Sequence, residues 1–241
     1  DEVETDLRDF GIVQLGLSTT EHDFVKLTHV NRFEAAEDFN LGYRGSGFVG
    51  ISTPTFGGEE GTAWFFSLSG GYGLKFGEAH FLLAGAAWNA RHRRGELENS
   101  LFEATFNYVN QHHPRWLLLG NTEVIGGRNL DPEIQVRLGA ETGLRGYPVR
   151  QFVGERALRV SIEERVFIAD DVAQLISLAL AAFFDLGYAW PEGVPLLFRD
   201  LKSDVGVSLL IGRNRLSSLS RGLRLDLAYA LDPVAGRGRW L

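Results

Sequence analysis

Few residues in this chain have the types and spacing that enzyme chemistry requires. The chain has no cysteine, which excludes disulfides, thiolate metal sites and cysteine nucleophiles. No serine lies in a Gly-x-Ser-x-Gly elbow, and the glycine cluster at 70–73 lacks the lysine-hydroxyl pair of a phosphate-binding loop. His112 and His113 are the only adjacent histidines. Neighbouring strand residues point to opposite faces, so we expect no metal site there.

Two acidic residues in the second half offer the remaining chemistry. Glu163 and Asp185 each lie in an alternating segment, on the face that carries the polar residues. A pair of carboxylates inside one cavity can act as general acid and general base. The simpler interpretation is that they balance neighbouring arginines on the wall. We therefore predict that the chain is not an enzyme and binds no cofactor.

The overall charge limits the partners. The formal net charge is −7, and the isoelectric point is near 5.4. Phosphate binding needs a concentrated basic face, whereas the basic clusters at 91–94 and 213–221 are short and lie between apolar runs. We expect no nucleic-acid partner.

The elements that would position these residues are strands, because apolar and polar residues alternate with a period of two. In 176–188 the alternation is clearest, with large apolar side chains on one face and small or polar ones on the other. Good helix formers at 173–184 also permit a helix, but the flanking alternating segments favour a strand. The most apolar uncharged run, 172–184, is shorter than the about 20 residues that a membrane helix needs.

We predict one all-β domain over 1–241, with an N-terminal tail at 1–9 and about twelve strands. The predicted strands are 10–19, 24–34, 38–51, 61–73, 78–91, 97–110, 114–126, 132–144, 156–168, 173–188, 203–213 and 221–232. Short connections alternate loosely with longer ones at 51–61, 144–156 and 189–203, which is typical of transmembrane β-barrels.

A soluble sandwich or lipocalin-like barrel would give the same alternation, with its apolar face buried. Three features favour an antiparallel barrel in an outer membrane. The strands exceed the usual length of about 5–6 residues. Aromatic residues such as Trp64, Trp116 and Trp190 lie near strand ends, as an interfacial girdle requires. The polar face is rich in glycine, alanine and serine, as the wall of a lumen permits.

Three motifs between residues 138 and 188 carry a resemblance to a known family. They are Arg145-Gly146-Tyr147 after a strand, Glu163-Glu164-Arg165, and Phe183-Phe184-Asp185-Leu186-Gly187. In this order and spacing they resemble the bacterial surface antigen barrels of the BamA/TpsB-type superfamily. The resemblance covers roughly residues 130–232, and the earlier part of the chain is compatible with it.

The resemblance implies a loop that folds into the lumen and is held there by an arginine. The loop would be 144–156, and Arg145 would reach Asp185, with Glu163 as a second acceptor and Arg165 beside it. A guanidinium can fork onto a carboxylate with two charge-assisted bonds. The remaining motif residues would fit around the pair: Gly146 as the tight turn, Tyr147 and Phe183 as apolar packing, and Gly187 in the motif of Asp185. The alternative is that Arg145, Glu163 and Asp185 are ordinary lumen charges that balance one another and do not lock a loop. Glu164 falls on the lipid face, and we place it near the turn at 170–171.

The resemblance further implies a protein of the bacterial outer membrane, or of an equivalent organelle membrane, that acts in protein insertion or translocation or perturbs the bilayer. Outer-membrane lipid, a client protein and a second copy of the chain are the expected partners. The alternatives are a structural or lipid-homeostasis barrel and a small-solute pore. We expect the chain to differ from the family in three features: it has no periplasmic POTRA modules, it has fewer than sixteen strands, and it has no clear aromatic-ended last strand. The lack of methionine suggests a mature form whose signal peptide was removed.

Overall fold

The computed structural model describes residues 9–31, 33, 36–58, 61–172, 176–213, 223–232 and 240. These residues form strands, three single-turn 3-10 helices and connections, and contain no α-helix. The strands are Ile12–Thr20 (β1), Phe24–Leu27 (β2), Glu37–Asn40 (β3), Arg44–Ser52 (β4), Ala63–Gly77 (β5), His80–Arg93 (β6), Glu96–His113 (β7), Trp116–Arg128 (β8), Val136–Leu138 (β9), Phe152–Gly154 (β10), Arg156–Val172 (β11), Ile176–Trp190 (β12), Lys202–Arg213 (β13) and Leu223–Ala230 (β14).

Ten of these strands form one antiparallel sheet in the order β1-β4-β5-β6-β7-β8-β11-β12-β13-β14. Neighbours in the sheet are also neighbours along the chain, apart from the two inserted hairpins β2–β3 and β9–β10. Within the described ranges β1 pairs only with β4, and β14 pairs only with β13 apart from one bridge between Tyr229 and Trp240. The two outer strands are therefore the edges of the sheet.

The alternation in the sequence becomes the alternation of burial along each long strand. In β12 every second residue from Ser177 to Ala189 is buried, and the residues between them are not. The leucine- and alanine-rich segment therefore forms a strand of fifteen residues and not a helix. The expectation of a strand here is confirmed.

The sheet is strongly curved around its polar face. Adjacent strands lie about 4.8 Å apart, so β11 and β14 would be roughly 14 Å apart in a flat sheet. Yet the Arg224 guanidinium on β14 donates to the Glu163 carboxylate on β11 at 2.6 Å, across the two intervening strands. The residue of β14 in register with Glu163 is Ala228, four residues from Arg224. Because this offset adds to the separation across the strands, only a sheet that bends towards these side chains brings them into contact.

The β2–β3 hairpin, with the described residues between its strands, lies on the concave face, and we call it the inner hairpin. It supplies an apolar core that packs against wall residues of β6, β7, β8, β11, β12 and β13 near one end of the sheet. The core consists of Val25, Leu27, Val30, Leu41, Phe81, Val109, Leu117, Phe167 and Ala179, with Phe33, Phe39, Leu83, Leu119 and Leu210 at its margin. One end of the concave space is thus occupied by protein.

The segment between β8 and β11, which contains β9 and β10, occupies the other end. Its side chains form a second core against β11, β12 and β14. This core consists of Leu138, Leu144, Tyr147, Phe152, Ala157, Ala189 and Ala230. The segment 144–156, which the sequence predicts to be an inward-folded loop, lies within this part of the chain.

Two predicted wall strands are wrong, and the large sheet has ten strands instead of about twelve. Among the described residues of 24–34 only 24–27 are strand, and in 132–144 only 136–138 are strand. Both segments alternate because one side of each packs into a core on the concave face. Such a pattern is the same for an inner hairpin and for a wall strand, since both bury one face.

The convex face of the sheet is apolar and exposed. Leu15 is 74% exposed, Leu68 62% and Leu225 53%. Further exposed side chains on this face are Val13, Leu17, Trp64, Tyr72, Leu74, Phe102, Phe106, Ile162, Leu180, Phe184, Val205, Val207, Leu223 and Leu227. In the described part of the chain, no helix is long and apolar enough to cross a membrane.

Candidate functional site

The site begins with a tight turn that aims the loop tip, residues 143–147, at the sheet. A 3-10 turn at Ala140–Thr142 is closed by Thr142, whose hydroxyl accepts the Gly139 N–H at 2.8 Å. Gly143 follows with φ of 97°, a conformation that is strained for residues with a side chain, and a Cβ there would lie 2.7 Å from Arg159 Nη1. Leu144 is fully buried, which fixes the tip next to Arg145.

Arg145 forks onto Asp185 as the resemblance implied. Its Nε donates to Asp185 Oδ2 and its Nη2 to Asp185 Oδ1, both at 2.7 Å. Nη1 donates to Glu163 Oε2 at 2.5 Å, and Nη2 also donates to the Ser161 hydroxyl at 3.1 Å. The guanidinium carbon lies 3.5 Å from the centroid of the Phe183 ring, close enough for a cation–π contact. The structure therefore brings together four of the predicted residues.

Glu163 is the centre of a larger cluster, which we call the carboxylate hub. Besides Arg145, it accepts Arg165 Nε at 2.5 Å and both terminal nitrogens of Arg224 at 3.0 and 2.6 Å. Glu163 is only 5% exposed. Three arginines thus share one buried carboxylate, and Asp226 accepts a further bond from Arg224 at 2.8 Å.

Arg224 was missed as a site residue, although the sequence carried a signal for it. It lies on the polar face of the alternating segment 221–232, opposite a run of leucines. Nothing in the sequence indicated that the sheet curves enough to bring β14 over β11. The contact therefore depends on curvature that local patterning does not specify.

A second buried carboxylate lies beside the first. Asp204 on β13 is directly opposite Asp185 in the sheet register, and both are fully buried. Asp185 also accepts the Ser161 hydroxyl at 2.6 Å, whereas neither oxygen of Asp204 has a hydrogen-bond partner in the described part of the chain. Arg145, from the loop tip, is ion-paired with Asp185.

Burial disfavours the charged form of Arg145 and by itself lowers its pKa. The hydrogen bonds and negative charges of Asp185 and Glu163 outweigh that effect and raise the pKa of Arg145 above its ordinary value. The guanidinium is therefore a permanent cation, and its partners hold it by charge as well as by shape.

The two residues after Arg145 fit the wall closely. A Cβ on Gly146 would lie 2.5 Å from the Asp204 Cβ, so only glycine allows this approach. The Tyr147 hydroxyl donates to the backbone oxygens of Ser203 at 2.9 Å and Asp232 at 3.0 Å. Burial, together with the negative charge of Asp232, raises the pKa of Tyr147 to about 12.

Phe183 and Gly187, the outer members of the third motif, also meet the loop. Phe183 supplies the ring against Arg145. A Cβ on Gly187 would lie 2.7 Å from the Leu158 backbone oxygen and 3.5 Å from Leu144 Cδ2. Gly187 therefore lets the strand pass close to both β11 and the loop tip.

A second charge cluster, absent from the sequence predictions, holds the start of the inward loop. Arg91 on β6 donates to Asp131 at 3.0 and 2.6 Å and to Glu98 at 3.0 Å. Its guanidinium carbon lies 5.4 Å from the centroid of the Phe10 ring. These contacts attach the chain after β8 to β6, two strands away in the sheet.

Glu164 lies on the outer face, as the alternation predicted, and is half-buried near the β7–β8 turn. Its carboxylate is 3.6 Å from His112 Nε2, and the His112 ring is near Trp116. Within the described ranges, no group of three His, Asp or Glu side chains is arranged to hold a metal ion.

Comparison with known proteins does not assign the chain to a family. No family model matches the chain, and no curated protein matches it.

Proposed function

We propose that this protein is an outer-membrane β-barrel of the type that inserts or translocates other proteins. The observation that carries the proposal is the combination of an exposed apolar convex face with a charged, loop-filled concave face. Exposed large apolar side chains on β1, β5, β7, β12, β13 and β14 would contact acyl chains. In water an apolar surface of that extent is unfavourable, and soluble monomers rarely expose one.

The edges of the sheet suggest how such a barrel would act. All nine residues of β1 are exposed, on both faces of the strand, and in the described part of the chain β1 pairs with one strand, β4. Unpaired N–H and C=O groups are strongly unfavourable in lipid. A further strand along β1 would satisfy them, and a client protein or a second copy of the chain could supply it. Pairing with a client strand is a chemically simple route to membrane insertion.

The concave face argues against the alternative of a small-solute pore. The inner hairpin fills one end and the inward loop the other. The space beside the carboxylate hub is a cavity of about 360 Å³ lined by both signs of charge, including Arg145, Arg159, Arg224, Glu163 and Asp226. Solute passage would require one of these segments to leave its core.

Crosslinking of a client strand tests the proposal. The chain lacks cysteine, so a single Leu15→Cys variant reports on the free edge. The variant is reconstituted in liposomes with an unfolded outer-membrane barrel that carries cysteines along one strand, and a short bis-maleimide is added. We expect an adduct with Leu15→Cys and faster folding of the client.

The matched control is Leu68→Cys, which is also an exposed leucine on the convex face but lies on β5 with partners on both sides. It is expected to give no client adduct. Equal adducts from both positions, or no effect on client folding by correctly inserted protein, would contradict the insertion role.

A further inference from the structure

The inner hairpin crosses the concave face from one side of the sheet to the other. At its base, Gly73 on β5 donates its N–H to the Leu41 carbonyl at 2.8 Å, and Leu41 donates to the Asp23 carbonyl at 2.7 Å. Towards its tip, the His29 and Phe33 rings lie 4.4 and 5.9 Å from the Phe167 ring on β11. The inner hairpin therefore spans the concave space at one end, from β5 to β11.

One charge-assisted hydrogen bond connects the inner hairpin to Arg165, a member of the carboxylate hub. Arg165 Nη1 donates to the Val30 backbone oxygen at 2.6 Å. The Nε of the same guanidinium donates to Glu163 at 2.5 Å. Arg165 thus contacts the inner hairpin with one end and the carboxylate hub with the other, and it is mostly buried, with 17% of its side chain exposed.

The hub connects this contact to two other parts of the fold. Through Arg145 it holds the loop tip, and through Arg224 it holds the edge strand β14. Glu163 has only two oxygens for three guanidinium groups, so the loss of one arginine changes the acceptor geometry for the others. Hydrogen-bonded charged groups that share one partner do not contribute independently.

We propose that Glu163 and Arg165 couple the inner hairpin to the inward loop and to the β14 edge, so that release of one loosens the others. The inner hairpin then acts as a plug whose position depends on the loop lock at the opposite end. The coupling goes beyond the proposed function, because it requires only these contacts and not a lipid environment. In a membrane barrel it would link opening of the concave space to opening of the sheet edge.

Hydrogen–deuterium exchange of the full chain, followed by peptide mass spectrometry, tests the coupling. Arg165→Ala removes the direct contact and is expected to speed exchange in residues 24–40 by about 10- to 100-fold, the change that one charge-assisted hydrogen bond corresponds to. The informative variant is Arg145→Ala, since no hydrogen bond or ion pair in the described structure joins Arg145 to the hairpin. We expect it to speed exchange at 24–40 and at 223–230 as well as in the loop.

The matched control is Arg159→Ala. Arg159 is on the same face of β11, lies beside Gly143 at the loop tip and is ion-paired with Glu123 at 3.1 Å, but it is not bonded to Glu163 in the described structure. Its loss therefore disturbs the surroundings of the loop tip without removing an arginine from the carboxylate hub. It is expected to leave exchange at 24–40 unchanged. Exchange in β7, residues 96–113, serves as the reference for global stability. If Arg145→Ala also speeds exchange there, Arg145→Lys replaces it, and the same comparison decides.

Faster exchange confined to the loop in the Arg145 variant, with 24–40 at the wild-type rate, would overturn the coupling. So would an equal acceleration of 24–40 by Arg159→Ala. Because the exchange is measured equally well in detergent, in liposomes or in buffer, failure of the membrane proposal leaves this test intact, and failure of the coupling leaves the membrane proposal intact.

Discussion

Arg145→Ala is expected to leave the buried carboxylate of Asp185 without a cation and to destabilise the inward loop. The substitution removes the fork on Asp185 at 2.7 Å, the bond to Glu163 at 2.5 Å and the contact with the Phe183 ring. Glu163 keeps Arg165 and Arg224, whereas among the described residues Asp185 keeps only the Ser161 hydroxyl as a side-chain donor. Asp185 therefore bears most of the cost.

The magnitude follows from the burial of Asp185, which is complete. Removing one partner of a buried ion pair costs about 3–5 kcal/mol, because the remaining charge loses its compensation. Asp204 lies directly opposite Asp185 and is also buried. Two adjacent buried carboxylates favour protonation of one of them, so we expect a value towards the lower end of that range. Arg145→Lys keeps the charge but not the fork, and it should cost less.

The assay is equilibrium unfolding of the refolded protein in urea, combined with limited proteolysis of the loop. The double variant Arg145→Ala/Asp185→Asn separates stranded charge from lost packing. If stranded charge dominates, the double variant is more stable than Arg145→Ala alone. A double variant at least as unstable as the single one would refute the electrostatic reasoning.

Three further predictions follow from neighbouring contacts. Gly146→Ala places a Cβ 2.5 Å from the Asp204 Cβ, so it should displace the loop tip and speed proteolysis of the loop nearly as much as Arg145→Ala. The neutral form of Tyr147 is favoured in the fold because its pKa is raised to about 12 from its usual value of about 10. Its contribution to stability is thus present below pH 10 and lost as the pH rises from about 10 to 12, and Tyr147→Phe should flatten that part of the pH profile of unfolding. Arg91→Ala should speed proteolysis near Asp131 without changing cleavage at the loop tip, and equal cleavage at both places would show that the two anchors are not separate.

Patterning predicts the strands well because burial on one face is a local property of the sequence. The segments that became β5, β7, β11 and β12 were expected from alternation alone. The Arg145–Asp185 contact was expected only from the resemblance of the motifs, since the two residues are forty positions apart. Arg224 and Arg91 could not be placed, because their partners lie on other strands and depend on how the sheet curves. The inner hairpin was predicted as part of the large sheet, because its residues alternate in the same way in a hairpin on the concave face and in a strand of the sheet.

Contact between the convex face and acyl chains is the central claim, and fluorescence quenching measures it most directly. Single cysteines at Leu68 and Leu225 on the convex face, and at Ser161 on the concave face, are labelled with bimane in liposomes that contain brominated lipids. Strong quenching at Leu68 and Leu225 with little at Ser161 is the predicted result. Weak quenching at all three positions, with the protein remaining in solution without detergent, would contradict the account.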